Sequence, residues 1–440
     1  MITGGNITDI SQLDGMKLIV KYWSSFDPKD KTILNSYNIN IINDSIIFVG
    51  DVHGDINQFI APLVFSGYVK IKDNIREIKT KNTITYIPDY EVNTEPKIKI
   101  IYLGDITDEW IFAIPISFIL KDILTKLPNN IFYIYGNHDL ALIGRYHLFV
   151  EKKLNFALDL PSLWNTLKKE LNYIQNLKIF KQTALLDDEP TKGYEFIYNY
   201  LTPLFDNLFY IFSKNMGQIS LSIHIMNKPY MVSHTTWTQQ ALQQLIDNNS
   251  DSNHKSDRPS DNIESQLQPL ISSTSKNINN YIQLIQSVIN NKCDEIDYQS
   301  LSEAVNKIFI TKSRLYVSKN LITYTRLTKN VILNHIVGHS IGAEFRDQNV
   351  NSGLSTYYHE RESKLKPSII NGKIIYYFDF GCSAGYDHDE IGRPDFVYSN
   401  KAGLFVSNLP AFSFIISNNR DSLLVLKDKT PRTGNKIVIK

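Results

Sequence analysis

The chain has 440 residues, 42% hydrophobic and 21% charged, with 46 basic residues against 45 acidic ones and a formal net charge of +1. That length can bury one large core or two modest ones, and the composition is that of a soluble globular protein, which excludes a disordered or fibrous chain. The balanced charge offers no global field for nucleic acid or an anionic membrane, and two cysteines, Cys293 and Cys382, are too few for a disulfide scaffold and suit a reducing compartment.

The first fifteen residues lack the basic and then apolar regions of a signal peptide. The apolar run 46–49 predicts a buried strand, and 68–96, with alternating sequence over 79–86, predicts a hairpin excursion. A strand over 98–103 follows. The longest mostly apolar run, 110–120, is too short to cross a bilayer; it belongs to a predicted helix over 111–127, with Pro115 in its first turns and a stop at Pro128. After a strand over 131–135, the Leu- and Lys-rich segment 146–225 is mostly helical in pattern, including 154–178. A strand over 230–232 precedes the Ser/Asp/Asn-rich stretch 248–280, predicted to be a mobile loop, and a helical piece at about 281–310. Strands over 331–337 and 374–380 come next. The tail after 402 has β-like runs at 412–416, 423–426 and 437–439, expected to form a second sheet on the first. No internal repeat is present. Strands separated by crossover helices predict an α/β core with its ligands on the loops after strands. The expectation is an intracellular, cytoplasmic protein, and the Ile, Asn and Lys richness fits an AT-rich genome such as that of a large DNA virus.

Chemistry concentrates where those strands end. Gly50-Asp51-Val52-His53-Gly54 places a carboxylate and an imidazole on one tight turn. Gly104-Asp105-Ile106-Thr107-Asp108 follows the next strand, and Gly136-Asn137-His138-Asp139 the one after. His234 and His339 follow two later strands. Carboxylate, imidazole and amide oxygen form a mixed N/O set that suits Zn, Fe or Mn better than Ca or Mg. Two divalent cations, two aspartates and a bridging hydroxide leave a net charge of about +1, which attracts a phosphate dianion and lets a bound water ionise near neutral pH.

These residues resemble the calcineurin-like metallophosphoesterases, especially the branch holding serine/threonine protein phosphatases, whose pattern is GDxHG, GDxxD, GNH(E/D), a later His and a final GH. The resemblance implies one domain over 1–440, an α/β/β/α four-layer sandwich with helical insertions, its core motifs in 46–145, 230–238 and 320–385. It implies two metal ions (Mn, Fe or Zn), one held by Asp51, His53 and Asp105, the other by bridging Asp105 with Asn137, His234 and His339. It further implies that His138, oriented by Asp108, protonates the leaving-group oxygen while a metal-bridging hydroxide attacks phosphorus; a histidine beside a carboxylate stays protonated to higher pH, as a general acid must. Ile341 stands where many relatives carry a second terminal His, which matches the protein-phosphatase pattern. Protein phosphatases usually have an Arg after GDxxD to clamp phosphate, and here Glu109 and Trp110 follow instead. Arg326 sits where relatives carry another phosphate arginine and is the candidate for that role, whereas Arg145 reads as a structural ion pair.

Taken singly, a GD turn or a lone histidine is more often structural than metal-binding; His224, His335, His359 and His388 read as hydrogen-bonded core residues, and Asp379 as either a ligand-orienting carboxylate or a turn. Five such features in the family's order make a joint metal site the better reading. The expected function is a metal-dependent phosphomonoesterase acting on a phosphorylated protein or a small phosphate ester, with neither membrane nor nucleic acid as partner. The alternatives are a dinucleoside polyphosphate hydrolase, motivated by GNHDLAL and the missing Arg, and a catalytically weak, metal-stabilised interaction scaffold, motivated by Glu109 and the insertions.

Overall fold

The computed structural model describes residues 7–8, 10–26, 45–80, 83–107, 112–136, 139, 190–214, 216–218, 220–225, 228–234, 334–341, 368–370, 372–379, 405–407, 413–417, 424–427 and 436–438. In chain order the elements begin with β1 (Ile7–Thr8), α1 (Ile10–Ser24), β2 (Ile46–Val49), α2 (Ile56–Phe65), β3 (Val69–Lys79), β4 (Thr83–Val92) and β5 (Lys99–Tyr102). They continue with α3 (Ala113–Lys126), β6 (Ile131–Ile134), α4 (Pro190–Ser213), β7 (Gly217–Gln218), β8 (Ser220–Ile225) and β9 (Lys228–Ser233). The last are β10 (His335–Ile341), β11 (Ser368–Ile370), β12 (Lys373–Asp379), β13 (Phe405–Ser407), β14 (Ser413–Ser417), β15 (Leu424–Lys427) and β16 (Lys436–Val438).

Two sheets position the site. The first has six strands in the order β15-β14-β2-β5-β6-β7, with β2, β5, β6 and β7 parallel and β14 antiparallel to β2. The second has five, β11-β12-β10-β9-β8, with β9, β10 and β12 parallel. β2 and β6, and β5 after its exposed Lys99, are continuous Ile/Val/Phe/Tyr runs because both their faces are covered. Alternation at the end of β5 shows what covers each face. The Tyr102 ring stacks on Phe59 of α2, and its hydroxyl donates to the Phe59 carbonyl at 2.7 Å. Leu103, the next residue, lies against Gly338 of β10 in the second sheet. Helix, first sheet and second sheet are therefore three successive layers. The helical layer expected beyond the second sheet falls outside the described residues.

The helices start and stop for local reasons. Asp55 caps α2, its Oδ1 accepting from Asn57 N at 2.8 Å and Gln58 N at 3.3 Å. All ten residues of α2 are buried, and the Trp23 indole of α1 donates to Asn57 Oδ1 at 3.1 Å. α3 begins two residues after the predicted start, carries Pro115 at its third position where no intrahelical donor is needed, and ends before Pro128. Each fully buried Phe, Leu or Ile in this core contributes about 1.5–3 kcal/mol of transfer free energy.

The predicted hairpin within 68–96 is β3 paired antiparallel with β4. Elsewhere the structure corrects the expectation. Gly217–Gln218 and Ser220–Ile225, assigned to a helical segment, are strands: Ser220-Leu221-Ser222-Ile223-His224-Ile225 alternates with period two and pairs antiparallel with β9. The tail does not form the second sheet. β14 joins the first sheet beside β2, with Ile415 opposite Phe48, and β15 pairs outside it, while β16 pairs with β13. The predictions at 154–178, 248–280 and 281–310 lie outside the described residues. Among the described residues no helix is long and apolar enough to cross a membrane.

Candidate metal centre

Because β2, β5 and β6 run parallel, the loops carrying the first three motifs leave the same edge of the first sheet. β9 ends at Ser233 with His234 directly after it, and β10, parallel to β9, carries Gly338 and His339. The loops are laced to one another by backbone hydrogen bonds. The Asp105 carbonyl accepts from Val52 N at 3.1 Å and His53 N at 2.6 Å, and the Ile106 carbonyl from Gly54 N at 2.9 Å. His53 and Asp105 have φ of 45° and 48°, the left-handed region in which a side chain costs about 1–2 kcal/mol. Gly104, at φ 105°, has the amide and Cα of Gly136 and the ring of His234 pressed into the space a Cβ would need. Beneath the loops the buried Asp139 carboxylate accepts three backbone N–H groups: Asp105 and Gly136 at 2.9 Å on Oδ2, and Ile106 at 3.1 Å on Oδ1.

The side chains converge. His53 Nε2 lies 3.7 Å from Asp51 Oδ2 and 3.9 Å from Asp105 Oδ2. His234 Nε2 lies 3.2 Å from the same Asp105 Oδ2, and its Nδ1 is 3.8 Å from Asp51 Oδ1 and 2.7 Å from the Leu103 carbonyl. All four residues are at most 3% exposed, so two carboxylates have been taken out of water together. Burying two anions is costly unless cations accompany them. One ligand atom from each of Asp51, His53 and Asp105 lies within 4.8 Å of the other two. Two metal–ligand bonds of about 2.0–2.2 Å can span roughly 4 Å, so these donors fit a shared divalent cation. Nδ1 of His234 faces the Leu103 carbonyl and leaves Nε2 for a metal, the usual way in which a ligating histidine is oriented. Asp105 Oδ2 lies between the two histidines, 3.9 Å from His53 Nε2 and 3.2 Å from His234 Nε2, where one carboxylate could serve a cation on either side.

Of the residues expected to form the site, the structure brings together Asp51, His53, Asp105 and His234. His339 was expected after a strand; it lies within β10, in the stretch between Val337 and Ile341 where the pairing register with β12 shifts. The preceding Gly338 places β10 directly against the Asp51 carboxylate, so the strand reaches the cluster. His335 is buried at the other end of β10, opposite Met231 and Ile375, which fits its reading as a core residue. Asp108, Glu109, Asn137, His138 and Arg326 lie outside the described residues. Two contributors went unassigned in the sequence. Asp139 was visible as the last letter of GNHD, but only the fold shows which amides it holds. Gly338 gave no signal beyond preceding a histidine.

Residues 45–261 match the family model of calcineurin-like phosphoesterases. The chain carries a calcineurin-like phosphoesterase domain. No curated protein and no solved structure matches it. The match takes in the first three motifs and His234 but stops short of Arg326 and His339. The case for β10 at the site therefore rests on its pairing with β9 and on the contact of Gly338 with Asp51. The buried Asp51–His53–Asp105 cluster is where a metal ion fits the family's chemistry.

Proposed function

We propose that the chain is a phosphomonoesterase resembling the serine/threonine protein phosphatases, cleaving the P–O bond of a phosphorylated protein or a small phosphate ester at a centre of two Mn, Fe or Zn ions. The observation that carries this reading is the buried cluster in which Asp105 lies between His53 and His234. Asp51, His53 and Asp105 would hold one ion, and Asp105, Asn137, His234 and His339 the other. When bound, the ions supply an activated water and the positive charge that favours in-line displacement. His138, oriented by Asp108, gives its proton to the leaving-group oxygen as the bond to phosphorus breaks. Arg326 holds the phosphate oxygens, a role that falls to it because Glu109 follows GDxxD.

The test is metal analysis together with phosphate release from an aryl phosphate and a phosphopeptide, for wild type and Asp105→Asn. The expected result is two bound ions and Mn-dependent release in the wild type. In the variant, at least one ion is lost and release falls by about a thousandfold or more. Bound metal with no release from any phosphomonoester would sink the proposal. Preferential turnover of diadenosine polyphosphates in the same panel would move the assignment to a dinucleoside polyphosphate hydrolase.

A further inference from the structure

We infer that Asp139 is the positioning residue of the metal centre: by gathering the amides of Asp105, Ile106 and Gly136, it holds Asp105 in the backbone conformation that aims its carboxylate at both histidines. The inference rests on the metal-site reading above. Asp105 sits in the left-handed region, which a residue with a side chain keeps only when its surroundings over-determine it. Its peptide groups are held on both sides. The carbonyl takes Val52 N and His53 N from the first loop, and the amide gives its hydrogen to Asp139. Asp139 thereby joins the second loop to the third, since the same Oδ2 accepts from Gly136, three residues earlier. Asn137 and His138 lie in sequence between those two anchor points.

A carboxylate suits this place because it offers acceptors only. Three N–H donors converge on two oxygens, two on Oδ2 and one on Oδ1. Asparagine would put an NH2 group opposite one of these donors, and leucine would remove every acceptor. The side chain is wholly buried, so bulk water does not replace the lost bonds. Asp139 is assigned no contact with substrate or metal; it acts through Asp105.

The experiment measures Mn2+ dissociation constants by calorimetry, and the exchange-coupled EPR signal of the Mn2+ pair, in wild type, Asp139→Asn, Asp139→Leu and a stability control. Leu120→Ala in α3 serves as the control, because Leu120 is buried in α3 and has no part in the site. Asp139→Asn is expected to weaken Mn2+ binding about 10–100-fold and to lose the coupled signal, with Asp139→Leu weaker still. Leu120→Ala should lower the melting temperature and keep the wild-type affinity. Wild-type affinity and coupling in folded Asp139→Asn would overturn the inference. Should neither Asp139 variant fold, amide exchange in the metal-free wild type decides. The Asp105, Ile106 and Gly136 amides are expected among the slowest, and rapid exchange there overturns the inference. A wild type that binds no Mn2+ would overturn the metal-site reading instead, and the exchange pattern would still decide whether Asp139 holds the loops.

Discussion

His234 shows how much of this site's chemistry follows from burial beside carboxylates. Burial alone would lower its pKa, but Asp105 and Asp51, with hydrogen bonds to Asp105 and the Leu103 carbonyl, outweigh that and raise it from 6.5 to about 9. A raised histidine pKa stabilises the metal-free fold fully below about pH 6.5, and the contribution is lost as pH rises through about 9. A metal ion must displace that proton. Calorimetric Mn2+ titrations at pH 7.5, in buffers of different ionisation enthalpy, should therefore show about one proton released at this ligand, with affinity rising as pH approaches 9. A buffer-independent heat would contradict this. A second prediction at this scale concerns catalysis: His138→Asn should lower kcat by about 10²–10⁴-fold with metal content preserved, and an unchanged kcat would favour the scaffold alternative. Asp51, His53, Asp105 and His234 were legible in the sequence because a metal demands particular donor atoms after particular strand ends. Asp139's role was not, because its partners are backbone amides, which are identical at every position.

Strands and helices were legible to the extent that their periodicity is local. The first strand was read as 46–49 and is Ile46–Val49; the helix read as 111–127 is Ala113–Lys126. The β8 strand was missed because the helical pattern of its long neighbour was carried too far, over a six-residue stretch that alternates. Which strand pairs with which was the weaker inference. β14 was visible as a strand, but its partner β2 lies more than 360 residues away, and alternation does not name a neighbour. Two predictions belong here. Asp55→Ala removes the side-chain acceptor for Asn57 N and Gln58 N and should cost about 1 kcal/mol, read as a lower urea midpoint with unchanged slope. Gly104→Ala meets both an unfavourable φ and the occupied space at Gly136 and His234, so it should cost at least about 2 kcal/mol and weaken metal binding. Wild-type stability in this variant would mean the loops pack less closely than described.

At the scale of the whole molecule, two sheets meet at the cluster, with Leu103 and Asp51 of the first touching Gly338 of the second. A cation bound there couples its binding energy to the packing of the sheets. Saturating Mn2+ at a hundred times its dissociation constant should add about 2.7 kcal/mol to stability, and a chelator should lower the thermal midpoint, as scanning fluorimetry would read. A midpoint indifferent to both would argue that no metal is bound in the folded state.

By itself the sequence pointed to Asp51, His53, Asp105 and His234, the strands that precede them and the family's motif order, because donor chemistry and hydrophobic alternation are written within a few residues. Only the tertiary structure decided that the tail strand β14 lies beside β2, that Gly338 brings β10 onto Asp51, and that Asp139 carries the Asp105 peptide. Those contacts join residues far apart in the chain. They are selected by which buried faces fit together and which amides need an acceptor there, and no local pattern records either.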